Sequence, residues 1–169
     1  KHSLTGKNKI VNFEKNLEKG IFNLIFNCAE LSAKQNVLVV AESAKFGWYD
    51  NLIAHKVKNF CTKLKINTDL MVVEEPTGEI LTQIRNLSRD YDCIIYFSRL
   101  GDLQRFENIH LCKVVMSYAK NVEMLASEFG TTNFQMHLDL KKSFDELFSR
   151  SKKIKINCPL GTNLLGECS

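Results

Sequence analysis

The chain has 169 residues, 44% of them apolar and 25% charged, with only two prolines and eight glycines. That composition excludes a collagenous or low-complexity chain. It leaves one domain, with or without an appendage, long enough to bury roughly 70% of its unfolded surface. The net charge of +4, from 23 basic and 19 acidic residues, is mild, and the lysines alternate with apolar residues instead of forming a stripe. Nucleic acid is therefore not an expected partner.

Residues 1–9 are polar and read as a loose arm. Val11, Leu17, Ile21, Leu24, Ile25, Cys28 and Leu31 then recur at helical spacing, which predicts a helix over 10–31. Val37 to Ala41 form a continuous apolar run rich in β-branched residues, the mark of a strand buried on both faces of a parallel sheet. Leu52, Ile53, Val57, Phe60, Cys61 and Leu64 mark the next helix. A second strand is expected over 69–74, stopped by Pro76. A helix from Thr77 through Leu87 leads to a third strand, 93–97. A polar connection separates it from a fourth, 113–118.

A short helix at 121–129 stops at Gly130. The last helix, 133–151, is expected to turn Met136, Leu140, Phe144, Leu147 and Phe148 inward. Residues 153–158 alternate lysine with isoleucine and read as a half-exposed strand. Pro159 and Gly161 then make a turn into a further strand over 162–165. The expected architecture is α/β and Rossmann-like: a mostly parallel open sheet of four to five strands, helices on both faces, and a C-terminal edge strand or hairpin. The expected division is an arm (1–9), one α/β domain (10–158) and a segment leading toward a second domain (159–169).

The six cysteines, at 28, 61, 93, 112, 158 and 168, have no C-x-x-C spacing and mostly fall in apolar segments. They read as reduced, buried thiols of a cytoplasmic protein, not as a disulfide or zinc framework. No run of about 18 apolar residues is present, so no membrane partner is expected.

Sites in open α/β sheets lie beyond the carboxyl ends of the strands. The segment 41–50 holds one glycine and neither G-x-G-x-x-G nor a P-loop, so the close backbone approach a pyrophosphate needs is missing. Glu74 and Glu75 are adjacent and point to opposite faces of a strand. His2, His55, His110 and His137 have no metal-ligand spacing. His110 and Cys112 share a strand face but lack a third orienting group. Catalytic and metal-ligating residues are accordingly not assigned, and no cofactor is expected in this chain. Ser43, Trp48, Tyr49, Ser98, Arg99 and Tyr118 are the candidate ligand-binding residues. Trp48 and Tyr49 are read as a lid. A small enzyme would have to bring Glu42, Glu74, Arg99 and Tyr118 into one pocket.

Three stretches resemble the N-terminal domain of the M29-type metallo-aminopeptidases and their relatives the 2,5-dihydroxypyridine dioxygenases. They are Asn36 to Glu42 behind a long leading helix, Asp92 to Ser98 ahead of Val114–Ser117 and Val122–Leu125, and Ile154 to Leu164. The last is similar to the family's x-G-T-D-L junction, with Asn163 where Asp often stands. In that family the metal ligands lie in a C-terminal domain, so the resemblance implies a non-catalytic domain, truncated or stand-alone, that shapes a cleft or mediates assembly. It also implies homodimers. Self-association or a protein or peptide partner is the expectation. A stand-alone peptide-binding module is the alternative.

Overall fold

The computed structural model describes residues 3–103 and 111–167, with side chains from residue 10 onward. The chain divides into two compact units, residues 1–132 and 133–169.

The first unit is built on a sheet in the order β2-β1-β3-β4. Its strands are β1 (Asn36–Glu42), β2 (Asn67–Val73), β3 (Cys93–Phe97) and β4 (Lys113–Met116). All three pairings are parallel, with Val37 opposite both Thr68 and Cys93, and Cys93 opposite Lys113. The two middle strands carry the continuous apolar runs: all five residues of β3 are buried, as are six of the seven in β1. The sequence places that apolar alternation on both sides, and the helices follow it.

One core layer gathers Val37, Val39, Ala41, Ile95 and Phe97 beneath Leu17, Ile21, Ile25, Ile53 and Val57. These helical residues come from α1 (Ser3–Phe22), the π-turn that continues it (Asn23–Cys28), and α2 (Asn51–Lys63). The opposite layer packs Leu38, Val40, Ile94 and Tyr96 against Leu81, Ile84 and Leu100. Those come from α3 (Gly78–Leu87) and α4 (Leu100–Leu103). Each such aliphatic side chain, fully buried, contributes about 1.5–3 kcal/mol. The expected α/β sheet with helices on both faces is what forms.

Three local departures have physical causes. The leading helix starts at Ser3, inside the stretch expected to be an arm, and widens to a π-turn at Asn23. There the Asn23 amide donates to the carbonyls of Gly130 and Thr132 at 2.8 and 3.1 Å, and Asn27 donates to Asn23 Oδ1. These bonds reward opening the turn, which periodicity does not reveal. The helix expected at 121–129 is two pieces, α5 (Val122–Ala126) and α6 (Glu128–Thr131). Ser127 breaks it by leaving the helical region and capping the Phe129 N–H. Gly130 lies inside α6 instead of ending a helix.

The second unit holds α7 (Phe134–Arg150) and the antiparallel hairpin of β5 (Lys153–Asn157) with β6 (Asn163–Glu167). Gly161 turns the hairpin at φ +105°, a value that favours glycine. The expectation that α7 buries its stripe is overturned: Met136, Leu140, Phe144, Leu147 and Phe148 are 45–59% exposed. Periodicity marks which face of a helix seeks a partner; it does not by itself bury that face.

The thiols divide. Cys61 and Cys93 are buried, Cys112 and Cys158 half-buried, and Cys28 is exposed, which corrects its expected burial; Cys168 lies outside the described residues. Burial pushes the Cys61 thiol up to about 11 and the Cys93 thiol up to about 12, from an ordinary 9.0. The folded chain therefore keeps protons that the unfolded chain releases near pH 9. The stabilisation is fully present below that pH and is lost as pH climbs through 9 toward 11–12. The urea midpoint is expected to fall over that window, by the equivalent of up to about 3 kcal/mol from Cys61 and about 4 kcal/mol from Cys93. A Cys61→Ala/Cys93→Ala variant measured in parallel should show a shallower fall, and an equal fall would contradict the assignment. Among the described residues no helix is long and apolar enough to cross a membrane.

Candidate functional site at the strand carboxyl ends

Glu42 ends β1 with no exposed surface. A carboxylate in that position needs a charge and hydrogen bonds to hold it, and the end of β3 supplies both. Arg99 donates through Nε to Glu42 Oε1 at 2.8 Å, and its Nη2 lies 2.5 Å from the same oxygen. The Arg99 backbone N–H donates to Oε2 at 3.0 Å, and the Ser98 hydroxyl donates to it at 3.4 Å. The bond to Glu42 is the main cause that raises the Arg99 guanidinium above its ordinary value. Ser98 Oγ also accepts from the Leu100 N–H, which starts α4. A side-chain contact between neighbouring parallel strands thus also sets the next helix.

The loop after β1 folds over this pair. Ser43 donates its N–H to the Val73 carbonyl at 2.8 Å. A single 3-10 turn, Ala44–Phe46, follows and closes on Gly47 at φ +71°, a conformation that suits glycine. The turn brings Phe46 and Trp48 close to Arg99, whose Cζ lies 5.7 and 5.2 Å from the two ring centres. Lys120 Nζ lies 5.2 Å from the Trp48 ring, and Lys45 Nζ 5.1 Å from that of Phe46. Cations over aromatic faces at these distances attract the ring quadrupole. Lys45 also forms an ion pair with Glu74.

Tyr49 and Asp50 fasten the loop to the far side of the sheet. The Tyr49 hydroxyl donates to the Ser117 carbonyl at 3.2 Å, and the Asp50 N–H donates to the Lys120 carbonyl at 2.8 Å. Asp50 then caps α2 by accepting from the Leu52 N–H. Burial, followed by the nearby Glu42, Tyr118 and Asp102 charges, pushes the Tyr49 phenol up to about 12, so it remains a donor at neutral pH. Tyr118 donates to Asp102 Oδ1 at 2.9 Å.

Of the six expected residues, the structure gathers Trp48, Ser98 and Arg99 around Glu42. Tyr49 is buried beneath the loop, whereas Trp48 and Tyr118 are each 46% exposed. Ser43 acts through its backbone, and Tyr118 turns to Asp102. The four-residue enzyme site does not assemble by these contacts: Glu42 is held by Arg99, Glu74 by Lys45, and Tyr118 by Asp102. Lys45, Phe46 and Lys120 were missing from the expected set. The signal for them was a cation or an aromatic ring in each loop that follows a parallel strand. His110, proposed and set aside as a partner for Cys112, lies outside the described residues. Among the described residues no group of three or more His, Cys, Asp or Glu side chains is placed to hold a metal ion.

Comparison with protein-family models, with curated proteins and with solved structures finds no match.

Proposed function

We propose that the chain is a non-catalytic α/β domain of the M29-type metallo-aminopeptidase kind, and that it works by assembly with a second copy of itself through α7. The observation that carries this reading is the stripe of five large apolar side chains on α7, each about half exposed. Phe144 and Phe148 stack on it with ring centres 6.0 Å apart. A surface of that kind marks an interaction site. The helix carries both signs of charge, with Lys141 paired to Asp145 and Arg150 and Asp139 also present. A two-fold copy lying antiparallel can therefore match opposite charges, as a self-complementary interface requires.

The non-catalytic part is supported by the state of the reactive groups. Glu42 is engaged by Arg99, and the two buried thiols stay protonated at neutral pH. A thiol in that state is a poor nucleophile.

Sedimentation over a concentration series tests the assembly. Wild type is expected to shift from monomer to dimer. Phe144→Glu/Leu147→Glu is expected to stay monomeric with unchanged helical circular dichroism. A wild-type monomer at every concentration would overturn the reading. So would stoichiometric binding of zinc, iron or cobalt by this chain, for its non-catalytic part.

A second reading, a module that accepts a peptide strand, is favoured by β4, which among the described strands pairs only with β3. Beside it lies an apolar hollow of about 180 Å³ that includes Leu24, Val115, Met116 and Phe129.

A further inference from the structure

The hairpin of the second unit is an unfinished sheet. Among the described strands β5 and β6 pair only with each other, and a lone pair of strands is marginal in water until a third strand or a helix joins it. Ile156, Leu164 and Leu165 are 53, 56 and 68% exposed. The two outer edges differ in chemistry. The Cys158 N–H donates to the Thr162 carbonyl at 2.9 Å, and Asn157 lies opposite Asn163. Hydrogen-bonded and non-hydrogen-bonded pairs alternate along an antiparallel ladder. Leu164 and Gly166 therefore turn their backbone groups inward to β5, while Asn163, Leu165 and Glu167 turn theirs to the free edge. The free edge of β5 belongs in the same way to Lys153, Lys155 and Asn157. Lysines on an edge discourage further pairing, and β6 carries none.

We propose that β6 pairs antiparallel with β6 of a second copy, with Leu165 on the two-fold axis, to make a sheet in the order β5-β6-β6-β5. This rests on the assembly reading only in taking a second copy as the partner, because the contact lies on a different element from α7. Leu165 then stands opposite the partner's Leu165, and Asn163 opposite the partner's Glu167. The outward N–H and C=O groups are all used, and no like charges face each other. On the other face Leu164 comes opposite the partner's Gly166. Nothing lies within 4 Å of a Cβ built on Gly166, so the leucine has room to join Ile154 and Ile156 in one apolar face. The charges select this arrangement. A β5–β5 contact centred on Lys155 would set two lysines against each other. A β6–β5 contact is head-to-tail and would run on as a filament. The β6–β6 contact closes, and it leaves the lysine edges outermost, where they end growth.

Amide hydrogen exchange followed by NMR on the full chain, across the concentrations of the sedimentation series, tests the contact. The Leu165 amide is expected to slow by at least about tenfold as the dimer forms. Leu165→Pro removes an outward N–H and spares the bonds to β5. Leu165→Lys keeps the N–H and sets like charges across the axis. Each is expected to weaken the dimer by at least about tenfold. Lys155→Pro, the matching change on the outer edge of β5, should dimerise as wild type does. The strand contact is overturned, with the α7 reading intact, by a dimer whose Leu165 amide exchanges as in the monomer. It is overturned equally by Leu165→Lys dimerising as wild type, by an equal loss from Lys155→Pro, or by growth beyond the dimer. A Phe144→Glu/Leu147→Glu chain that still dimerises, beside monomeric Leu165 variants, overturns α7 as the interface and supports β6. A wild-type monomer at every concentration overturns both.

Discussion

Gly20→Ala is expected to destabilise the protein by about 2–4 kcal/mol, although helix propensity alone predicts a gain of about 1 kcal/mol. Gly20 lies within α1, where alanine is normally the better residue. A Cβ built on it, however, meets the backbone carbonyl of Leu125 in α5, and then the Leu125 side chain at 3.2 Å. Gly130 of α6 closes on the same carbonyl from another direction. Backbone does not yield as a flexible side-chain tip does, so α1 must shift off α5, and the Leu17 and Ile21 layer shifts with it. Gly78, the first residue of α3, is the control: nothing lies within 4 Å of its Cβ position. Gly78→Ala should leave stability unchanged or raise it by up to about 1 kcal/mol. Urea unfolding of the three proteins decides the matter. If Gly20→Ala unfolds no earlier than wild type, α1 does not sit on Leu125 and the packing of that layer is wrong.

That contact also shows why part of the fold was legible and part was not. The sheet was written in local terms: Val37–Ala41 and Cys93–Phe97 are continuous apolar runs, and such runs are strands buried on both sides wherever they stand. Gly20 carries no such mark, since its reason lies 105 positions away at Leu125. The same holds for the π-turn, which depends on Asn23 reaching Gly130 and Thr132. It holds again for α7, whose stripe was read correctly as a stripe and wrongly as interior. Local pattern fixes the period of an element. Long-range contact decides what that element covers.

The candidate site divides in the same way. The rule that parallel strands place function at their carboxyl ends pointed to Trp48, Ser98 and Arg99. It said nothing of which charges would cancel. Glu42 reads in sequence as an ordinary polar residue ending a strand, open to recruitment as an acid or base. Only the pairing of β1 with β3, which sets Ala41 opposite Phe97, brings it under Arg99.

The Glu42–Arg99 pair yields the second large effect. Arg99→Met is expected to lower stability more than any other single substitution at the strand ends. The reason is not the value of the lost ion pair. Glu42 has no exposed surface, so losing the guanidinium strands a carboxylate in the core with only the Arg99 N–H and the Ser98 hydroxyl to hold it. Glu42→Met should cost less, because the released arginine is about one-third exposed and can turn to water. The double variant, Glu42→Met/Arg99→Met, removes the stranded charge and adds an apolar side chain near Phe46 and Trp48. It should therefore recover much of the stability lost by Arg99→Met alone. The urea midpoint of Arg99→Met is expected to drop at least about twice as far as that of the double variant. Additive losses would mean that Glu42 reaches solvent or another cation once Arg99 is gone. The pair would then be a surface contact, not the buried clamp on which the anchored geometry of Arg99 depends.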